Sequence, residues 1–350
     1  TIPPSQKGWN YYTESCNFFA ADDQTKAGDE YNGAIREKIN IESNITLKIM
    51  RHPGHITEVI VRGRKDCSFH IEGSCPYQRS SGQYRYGVFP SLELTNLTLV
   101  GFNSKYGAIG VSNCGTTIIR DCIFKDNTGD YAGAISISEK GNSVITSCVF
   151  FQNMGRSEAG VLFIEGGSTS HFEDCLFLEN TIGEDSSRYS APILLFGNSE
   201  KVRFNNCNFT NNIGIQAGVV ALRKEAKGAI FKDCKFVGNR GIGKTDDVSS
   251  YDYATTAGIV AMLTENGDIT FAGCLFQANT DRDNNPVGYF INEYYSANYT
   301  SDPTRSERNS KLIIVNRDQA SSKHTSRVSN GACLKANIQI SEISSSLATD

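Results

Sequence analysis

The cysteines of this chain recur with a fixed neighbour. Eight of the eleven are followed two positions later by phenylalanine, although 19 phenylalanines in 350 residues would supply fewer than one such pair by chance. From Cys122 onward this phenylalanine is followed three positions later by asparagine, and successive cysteines lie 26, 27, 32, 27 and 40 residues apart. A repeat of this length is typical of solenoids, propellers and arrays. The full copies are Cys122, Phe124 and Asn127; Cys148, Phe150 and Asn153; Cys175, Phe177 and Asn180; Cys207, Phe209 and Asn212; Cys234, Phe236 and Asn239; and Cys274, Phe276 and Asn279.

Two further elements share the register of this repeat. After each asparagine a loop leads to Ala-Gly and two apolar residues, as at Ala132-Gly133 and Ala217-Gly218, whereas the third copy has Ala191-Pro192. An alternating apolar stretch, such as Val202-Arg203-Phe204, precedes each cysteine. Turn-forming Gly, Asn, Asp and Ser residues separate these two elements. Each repeat therefore predicts three short strands joined by turns.

This pattern predicts an all-β fold, a right-handed parallel β-helix with three-strand coils. Residues two apart in a strand share a face, so the Cys and Phe of each pair are expected to stack inside successive coils. The minimum of 26 residues per repeat is too short for a β-propeller blade, which needs roughly 40. The recurrent Asn is expected at the bend after the Phe strand, because Asn tolerates left-handed backbone angles. Its amide is expected to bond the Asn of the next coil.

The repeats are expected to form one continuous domain. Residues 1–95 predict an N-terminal cap with degenerate coils, residues 96–280 the regular repeats, and residues 281–350 irregular C-terminal coils with a cap. Solenoids need caps because an exposed strand edge pairs with other chains. Extra residues concentrate between the Asn and the Ala-Gly element, which predicts loops along a single face.

The paired motifs resemble the F-x-x-N and G-G-A-I/L/V repeats of the polymorphic membrane proteins of chlamydiae, surface β-helix proteins with a pectin-lyase-like fold. Similar Cys-x-Phe-x-x-Asn repeats occur in surface proteins of some eukaryotic microbes. The likeness extends from about Phe102 to Asn279, but the first Gly of the family motif is usually Ala here, and Pro192 interrupts it. The resemblance implies a surface-displayed β-helix that serves adhesion or antigenic variation.

The cysteine spacing favours buried thiols over a disulfide framework. Stacked cysteines have parallel Cα–Cβ vectors about 4.8 Å apart, beyond the usual Cβ separation of a disulfide, so the ladder cysteines are expected to pack as small apolar groups. Cys67 and Cys75 are the candidate disulfide. Cys75, Cys114 and Cys333 lie outside the Cys-x-Phe pattern. No C-x-x-C or Cys-His spacing indicates zinc, and we predict no metal and no cofactor.

The acidic motifs do not assemble a catalytic signature. Asn279-Thr280-Asp281 matches the start of the signature of polygalacturonase-like hydrolases, which use paired aspartates, but no Asp-Asp or Gly-His-Gly motif follows it. Asp246-Asp247 lies in an 18-residue insertion and is expected to be a solvated loop rather than a calcium site. His52, His55 and His70 are expected not to bind metal, because a third ligand at useful spacing is missing. We therefore predict no catalytic residue and no enzyme.

Composition and charge limit the classes of binding partner that the sequence predicts. The net charge is −4 and no run of basic residues occurs, so nucleic acid is not an expected partner. No stretch of 18 apolar residues occurs, so no transmembrane helix is predicted. Asn-x-Ser/Thr sequons permit a secreted glycoprotein, and Asn208, between two inward-facing residues, is expected to face outward. The candidate N-glycosylation sites are Asn44, Asn96, Asn208 and Asn298.

The sequence predicts a non-enzymatic adhesive protein or structural rod at a cell surface or in extracellular material. A protein or glycan ligand is expected to bind a loop face formed by residues 181–190 and 240–256, with help from the Tyr-rich segment after residue 288. The candidate binding residues are Asp246, Asp247, Tyr251, Tyr253, Tyr294 and Tyr295. The alternatives are a filament or sheath subunit that associates end to end, a polysaccharide lyase or glycoside hydrolase, and an intracellular scaffold.

Overall fold

Parallel strands stacked in successive coils make up the described part of the chain. A computed structural model describes residues 20–21, 39–41, 46–50, 59–63, 66–73, 75–78, 84–85, 87, 89–183, 190–198, 201–224, 226–243, 256–263, 268–284, 289–291, 311–315, 323–327 and 334–336. Strands are numbered β1 to β37 in chain order. Three long sheets run along the coils, and the prediction of an all-β fold of stacked parallel strands is confirmed.

Sheet A contains β1 (Ala20–Ala21), β4 (Val59–Arg62), β9 (Leu97–Val100), β13 (Ile123–Lys125), β17 (Val149–Phe151), β21 (Leu176–Leu178), β25 (Asn208–Thr210), β29 (Lys235–Val237) and β33 (Leu275–Gln277). Sheet B contains β2 (Ile39–Ile41), β5 (Phe69–Glu72), β11 (Ile109–Ser112), β15 (Ile135–Ile137), β19 (Ala159–Glu165), β23 (Ala191–Phe196), β27 (Val220–Arg223), β31 (Val260–Leu263), β34 (Tyr289–Ile291) and β37 (Leu334–Ala336). Sheet C contains β3 (Thr46–Met50), β8 (Ser91–Thr95), β12 (Thr116–Arg120), β16 (Asn142–Thr146), β20 (Thr169–Glu173), β24 (Val202–Asn205), β28 (Ala229–Lys232), β32 (Asp268–Ala272), β35 (Lys311–Val315) and β36 (Lys323–Arg327).

Shorter strands complete the coils. A four-stranded sheet D contains β10 (Asn103–Ser104), β14 (Thr128–Gly129), β18 (Met154–Gly155) and β22 (Thr181–Ile182). Two pairs join β26 (Ile213–Gly214) to β30 (Arg240–Gly241), and β6 (Tyr77–Gln78) to β7 (Tyr84–Arg85). A regular coil thus passes through sheet C, sheet A, a two-residue strand and sheet B. The sequence predicts only the three longer strands, because two residues are too few to show an alternating pattern.

Parallel registration places each phenylalanine beside its counterpart in the next coil. Phe150 pairs with Phe177 across sheet A, and their ring centroids lie 4.7 Å apart with planes at 4°. A second column of rings comes from sheet C, where Phe204 stacks on Phe231 at 4.5 Å. The two columns meet edge to face, as between Phe204 and Phe209 at 5.8 Å. Such edge-to-face and offset contacts add to the apolar burial and fill the interior of the coils.

The bends of each coil depend on residues that precede the Cys and Asn of the repeat. Asp174 has a φ of 54° before Cys175, and Glu179 has a φ of 52° before Asn180. The ladder asparagines themselves do not have positive φ. The expectation that Asn adopts the left-handed conformation at this bend is therefore wrong by one position. The physical reason is that the Asn side chain must point inward, where its amide makes the hydrogen bonds described next.

The asparagines form a continuous interior ladder of hydrogen bonds. The Asn180 Oδ1 atom accepts hydrogen bonds from both the backbone N–H and the side-chain Nδ2 of Asn153, each at 3.0 Å. Asn180 Nδ2 donates to Asn212 Oδ1 at 3.0 Å and to the Phe150 carbonyl at 2.9 Å. The same pattern continues to Asn279, and the ladder residues from Asn127 to Asn239 are fully buried. Every rung therefore satisfies buried donors of the adjacent coil.

The Ala-Gly element closes each coil through a tight approach of two backbones. A Cβ atom at Gly133 would lie 2.2 Å from the Gly160 carbonyl oxygen, and one at Gly218 would lie 2.3 Å from that of Gly258. Only glycine fits such a contact. Pro192 lies where the pairing of β19 with β23 shifts register, between the Ala159 and Leu162 pairs. The preceding alanines pack with outward side chains of sheet B in a second apolar cluster, separate from the interior: Ala132, Ala159, Ala191, Ala217, Ala257, Phe163, Leu194, Ala221, Ala261 and Leu263.

Antiparallel strands appear only towards the ends of the described coils. Strand β1 pairs antiparallel with β4, β37 with β34, and β36 with β35. None of the described residues forms a helix long and apolar enough to cross a membrane.

Candidate ligand-binding face

A line of aromatic side chains crosses successive coils on the outer side of sheet B. Ring centroids lie 4.8 Å apart between His70 and Tyr106, 5.8 Å between Tyr106 and Tyr131, 5.4 Å between Tyr131 and Phe163, and 6.1 Å between Phe163 and Phe196. We call these five residues the aromatic stripe. It begins in β5 and ends in β23, beside the second apolar cluster, against which Tyr131 and Phe196 pack.

Local sequence explains how the stripe forms. His70 lies on the outward side of β5 opposite Gly110 of β11, and a Cβ atom at Gly110 would lie 2.8 Å from the His70 ring and 3.1 Å from Tyr106. Glycine at this position therefore leaves room for the His70–Tyr106 stack. Phe163 and Phe196 occupy outward positions of β19 and β23 that are offset by two residues, because Phe163 pairs with Leu194 and Phe196 pairs with Glu165. Their ring contact is therefore diagonal across the two strands, with centroids 6.1 Å apart.

Basic side chains lie against the middle and one end of the stripe. The Lys105 Nζ atom is 5.4 Å from the Tyr106 centroid and 5.1 Å from the Tyr131 centroid. At the Phe196 end, Lys224 Nζ is 4.5 Å and the Arg223 guanidinium carbon 5.5 Å from the ring centroid. A cation within about 6 Å of a ring face is attracted by the ring quadrupole. The two lysines are exposed, so their remaining N–H donors face solvent.

Ion pairs tie neighbouring coils together along the same face. Arg156 Nε lies 2.7 Å from Asp130 Oδ1, and its Nη1 atom donates to Asn103 Oδ1 at 2.5 Å. Arg223 Nη1 donates to Glu158 Oε2 at 3.2 Å across two coils. Because the two carboxylates already have cationic partners, this part of the face offers lysine ammonium groups and the partly exposed rings of Tyr106, Tyr131 and Phe196 to a ligand. His70 and Phe163 are buried and support these rings. Half-exposed pairs of this kind contribute about 0–1 kcal/mol each.

The predicted loop face adjoins the stripe, since Tyr131 lies between the asparagine and the Ala-Gly element of its repeat. Of the predicted loops, residues 181–183, 190, 240–243 and 256 are described. The six candidate binding residues Asp246, Asp247, Tyr251, Tyr253, Tyr294 and Tyr295 lie outside the described residues. The aromatic stripe was not predicted. Its members occupy different positions relative to the strands of their coils, so no fixed spacing marked them in the sequence.

The Asn-Thr-Asp motif is part of the coil packing. Asn279 is the last rung of the asparagine ladder and donates to the Phe236 carbonyl at 2.8 Å. Asp281 is buried, at 4 % exposed, and its Oδ1 atom accepts the backbone N–H of Asp283 at 2.9 Å. Its carboxylate therefore stabilises a turn. Among the residues that the structure describes, no group of three His, Cys, Asp or Glu side chains is arranged to hold a metal ion; His52 and His55 lie outside them.

The ladder cysteines point into the interior as hydrogen-bonded thiols. Cys207 Sγ donates to the Asn205 carbonyl at 3.3 Å and to the Phe172 carbonyl at 3.7 Å, and Cys148 Sγ donates to the Thr146 carbonyl at 3.1 Å. Burial, together with the neighbouring thiols, raises the pKa of Cys207 above its ordinary value. Contact with the Cys122 and Cys175 thiols, followed by burial, raises the pKa of Cys148. The same contacts between neighbouring thiols lower the pKa of Cys122, Cys175 and Cys234, so the direction of the shift alternates along the ladder. The low reactivity expected of these thiols therefore rests on their burial.

The predicted disulfide between Cys67 and Cys75 is wrong, because Cys75 bonds Cys114 instead. Strands β5 and β11 are paired neighbours, and Cys75 and Cys114 follow them in the turns of adjacent coils, with Cα atoms 5.3 Å apart. Cys67 belongs to the Cys-x-Phe pattern and is buried. A left-handed φ of 67° at Cys114 frees this pair from the parallel Cα–Cβ vectors that separate stacked residues. Both partners lie outside the Cys-x-Phe pattern, and this was the sequence signal that could have pointed to them.

Replacing both Cys75 and Cys114 by serine is expected to lower the free energy of unfolding by about 3 kcal/mol, because the bond closes a loop with a sequence separation of 39. Chemical denaturation with and without reductant measures this. The reductant should destabilise the natural chain by a similar amount and leave the double variant unchanged. A natural chain whose denaturation midpoint is insensitive to reductant would contradict the assignment.

Two of the four sequons fall on described residues. Asn96 is exposed at the bend between β8 and β9, with a φ of 56°. Asn208 lies in β25, half-buried, and faces outward as predicted, while Phe209 between Asn208 and Thr210 is buried. Asn44 and Asn298 lie outside the described residues.

Comparison with known proteins bears on the fold. Residues 55–223 match the family model described as a right-handed beta helix region. No curated protein and no solved structure matches the chain significantly. The matched residues extend from β4 to β27 and so include most of the regular coils. The sequence match and the sheet topology agree that the described coils form a right-handed parallel β-helix.

Proposed function

We propose that this chain is a non-enzymatic adhesive protein or structural rod at a cell surface or in extracellular material. It binds a protein or glycan ligand through the aromatic stripe and the adjoining loop face. The single observation that carries the proposal is the continuous stripe, with the exposed Lys105 over its middle rings and the exposed Lys224 over its last ring. Aromatic and basic side chains dominate the binding energy of many interfaces. The stripe is also held rigidly by the stacked coils, which lowers the entropy cost of binding.

The disulfide supports an extracellular setting for this function. Cys75–Cys114 joins two turns of neighbouring coils, and disulfides persist mainly in oxidising compartments. The ladder thiols do not argue against that setting, because those from Cys122 to Cys234 are buried and thereby protected from oxidants, and Cys274 is partly buried. We also propose that the repeats are of the kind found in polymorphic membrane proteins, which supports display at a surface.

Lysine substitutions at the stripe test the binding role. Replacing Lys105 and Lys224 by glutamine is expected to weaken ligand binding about tenfold, equivalent to about 1.4 kcal/mol, because both ammonium groups flank the rings at exposed positions. The probes are arrays of purified extracellular-matrix proteins and of neutral and acidic polysaccharides, read by the retention of labelled protein. Lys232 and Lys235 are equally exposed, on sheets C and A, and their replacement by glutamine is the matched control.

Two results would overturn the proposal. In the first, the Lys232 and Lys235 double variant loses binding while the Lys105 and Lys224 double variant keeps it. In the second, a bound polysaccharide is shortened during incubation, which favours the lyase or hydrolase alternative.

A further inference from the structure

The outer face of sheet A carries an apolar patch beside a sequon. Each strand from β13 to β25 alternates, with its middle residue buried and the two flanking residues half-buried and outward. The outward positions form two columns across the coils. The first column contains Ile123, Val149, Leu176 and Asn208, and the second contains Lys125, Phe151, Leu178 and Thr210.

The members of the sequon are the direct neighbours of this patch. Asn208 pairs with Leu176, and Thr210 pairs with Leu178, in adjacent parallel strands. Leu176 therefore lies about 4.8 Å from Asn208 along the coil axis, and Val149 lies about 10 Å away. Beyond the sequon the outer face is mixed, because Asn208 pairs with the exposed Lys235 and Thr210 pairs with Val237. Leu275, which is 42 % exposed, follows Lys235 in the next strand. The sequon thus lies at the edge of the apolar patch.

A partly exposed apolar row of this kind needs an explanation, because contiguous apolar patches on soluble proteins mark binding sites or aggregation hazards. Flat strands with outward Val, Leu and Phe also favour face-to-face association with another sheet. The phenylalanine ring of Phe151 is covered on one side by Lys125, whose Nζ lies 5.6 Å from its centroid. Leu176 and Leu178 have a polar outward neighbour only on the side of the sequon.

We propose that Asn208 carries an N-linked oligosaccharide that lies over the apolar outer face of sheet A and shields it from self-association. The donor is a lipid-linked oligosaccharide: the Asn208 side-chain nitrogen loses a proton and forms a bond to C1 of the first N-acetylglucosamine, while the C1–O bond to the lipid pyrophosphate breaks and the lipid pyrophosphate leaves. The apolar C–H face of this first sugar packs against Leu176 and Leu178. The Phe209 side chain points inward, so Asn208 and Thr210 both point outward on the same face of the strand. A glycan on Asn208 therefore extends directly towards solvent. This inference rests on the extracellular setting of the proposed function, since the modification occurs in a secretory pathway.

The test expresses the full chain through a eukaryotic secretory pathway. Peptide mapping after enzymatic deglycosylation should report conversion of Asn208 to Asp. Replacing Asn208 by glutamine should raise the fluorescence of an apolar dye several-fold and produce dimers or larger species in sedimentation velocity. Asn96→Gln is the matched control, because Asn96 is exposed at a bend away from the patch. It should change neither readout.

Two further samples keep the result interpretable. Enzymatic deglycosylation of the folded natural chain should reproduce the effect of Asn208→Gln. In this sample the chain folds with its glycan in place, so the effect is not caused by altered folding. Adding Leu176→Thr to Asn208→Gln should restore a monomer, because it removes the central apolar side chain.

An unmodified Asn208 in the secreted protein would overturn the proposal, as would a deglycosylated chain with unchanged dye fluorescence. Association of the glycosylated chain through this face would also overturn it and would assign the face to a second copy. Ligand binding by the aromatic stripe is measured separately on the arrays. A negative result for the glycan at Asn208 therefore does not contradict the proposed function.

Discussion

Replacing Phe204 by alanine is expected to lower the free energy of unfolding by about 4–5 kcal/mol. Phe204 is fully buried and stacks on Phe172 at 4.6 Å and on Phe231 at 4.5 Å. Its ring also contacts Phe177 and Phe209 edge to face, so it joins both interior columns. Truncation of a buried Phe removes its apolar burial and leaves a cavity that close-packed neighbours cannot fill. Chemical denaturation followed by circular dichroism measures the change.

Phe151 provides the matched control for this substitution. It has the same side chain in a central coil, but it is half-buried on the outer face of sheet A. Phe151→Ala is therefore expected to cost about 1 kcal/mol, since little apolar area is removed from water. Equal losses for the two variants would contradict the assignment of inward and outward faces.

Replacing Asn180 by alanine is expected to lower the free energy of unfolding by about 4 kcal/mol. The substitution removes the Oδ1 atom that accepts two hydrogen bonds from Asn153, and the Nδ2 atom that donates to Asn212 and to Phe150. Two donors of Asn153 thereby lose this acceptor inside the coil, at about 1–3 kcal/mol each. Hydrogen exchange should rise first in the two adjacent coils, because solenoid units are stabilised by their nearest neighbours.

Asn205→Ala is the control for the ladder. Asn205 is half-buried at the end of β24, so its loss is expected to change stability by less than about 0.5 kcal/mol. A ladder variant that is as stable as this control would mean that the interior amides are not needed to hold the coils together.

The interior of the coils could be predicted from the repeat, because its Cys, Phe and Asn residues each keep the same structural role in successive coils. Cys, Phe and Asn recur at fixed spacing, and parallel pairing then places every residue beside its own kind. Alternation in short strands is enough to decide which side faces inward. The position of the left-handed residue could not be derived in this way. Asp, Gln, Glu, Asn, Gly and Ala occupy it in successive coils, and the ladder asparagine that follows has the residue type usually expected there.

The outer surface was harder to predict, because it depends on how loops and neighbouring coils meet. His70, Tyr106 and Tyr131 differ in residue type and in their position relative to the strands, yet their rings stack. The disulfide shows the same dependence, since Cys75 and Cys114 become neighbours only when β5 pairs with β11. Proximity in the sequence favoured Cys67 as the partner of Cys75, but Cys67 precedes β5, whereas Cys75 and Cys114 follow the paired strands β5 and β11.

The central claim is that the repeated cysteines mark coil packing and form no covalent framework. Thiol alkylation with peptide mass spectrometry tests this claim most directly, on folded chain, on unfolded chain and on unfolded, reduced chain. We expect Cys148, Cys175 and Cys207 to be protected in the folded chain and alkylated on unfolding without reductant, as for the other ladder cysteines. Cys75 and Cys114 should react only after reduction. Disulfide-linked peptides between ladder cysteines, or rapid alkylation of the ladder in the folded chain, would contradict the account.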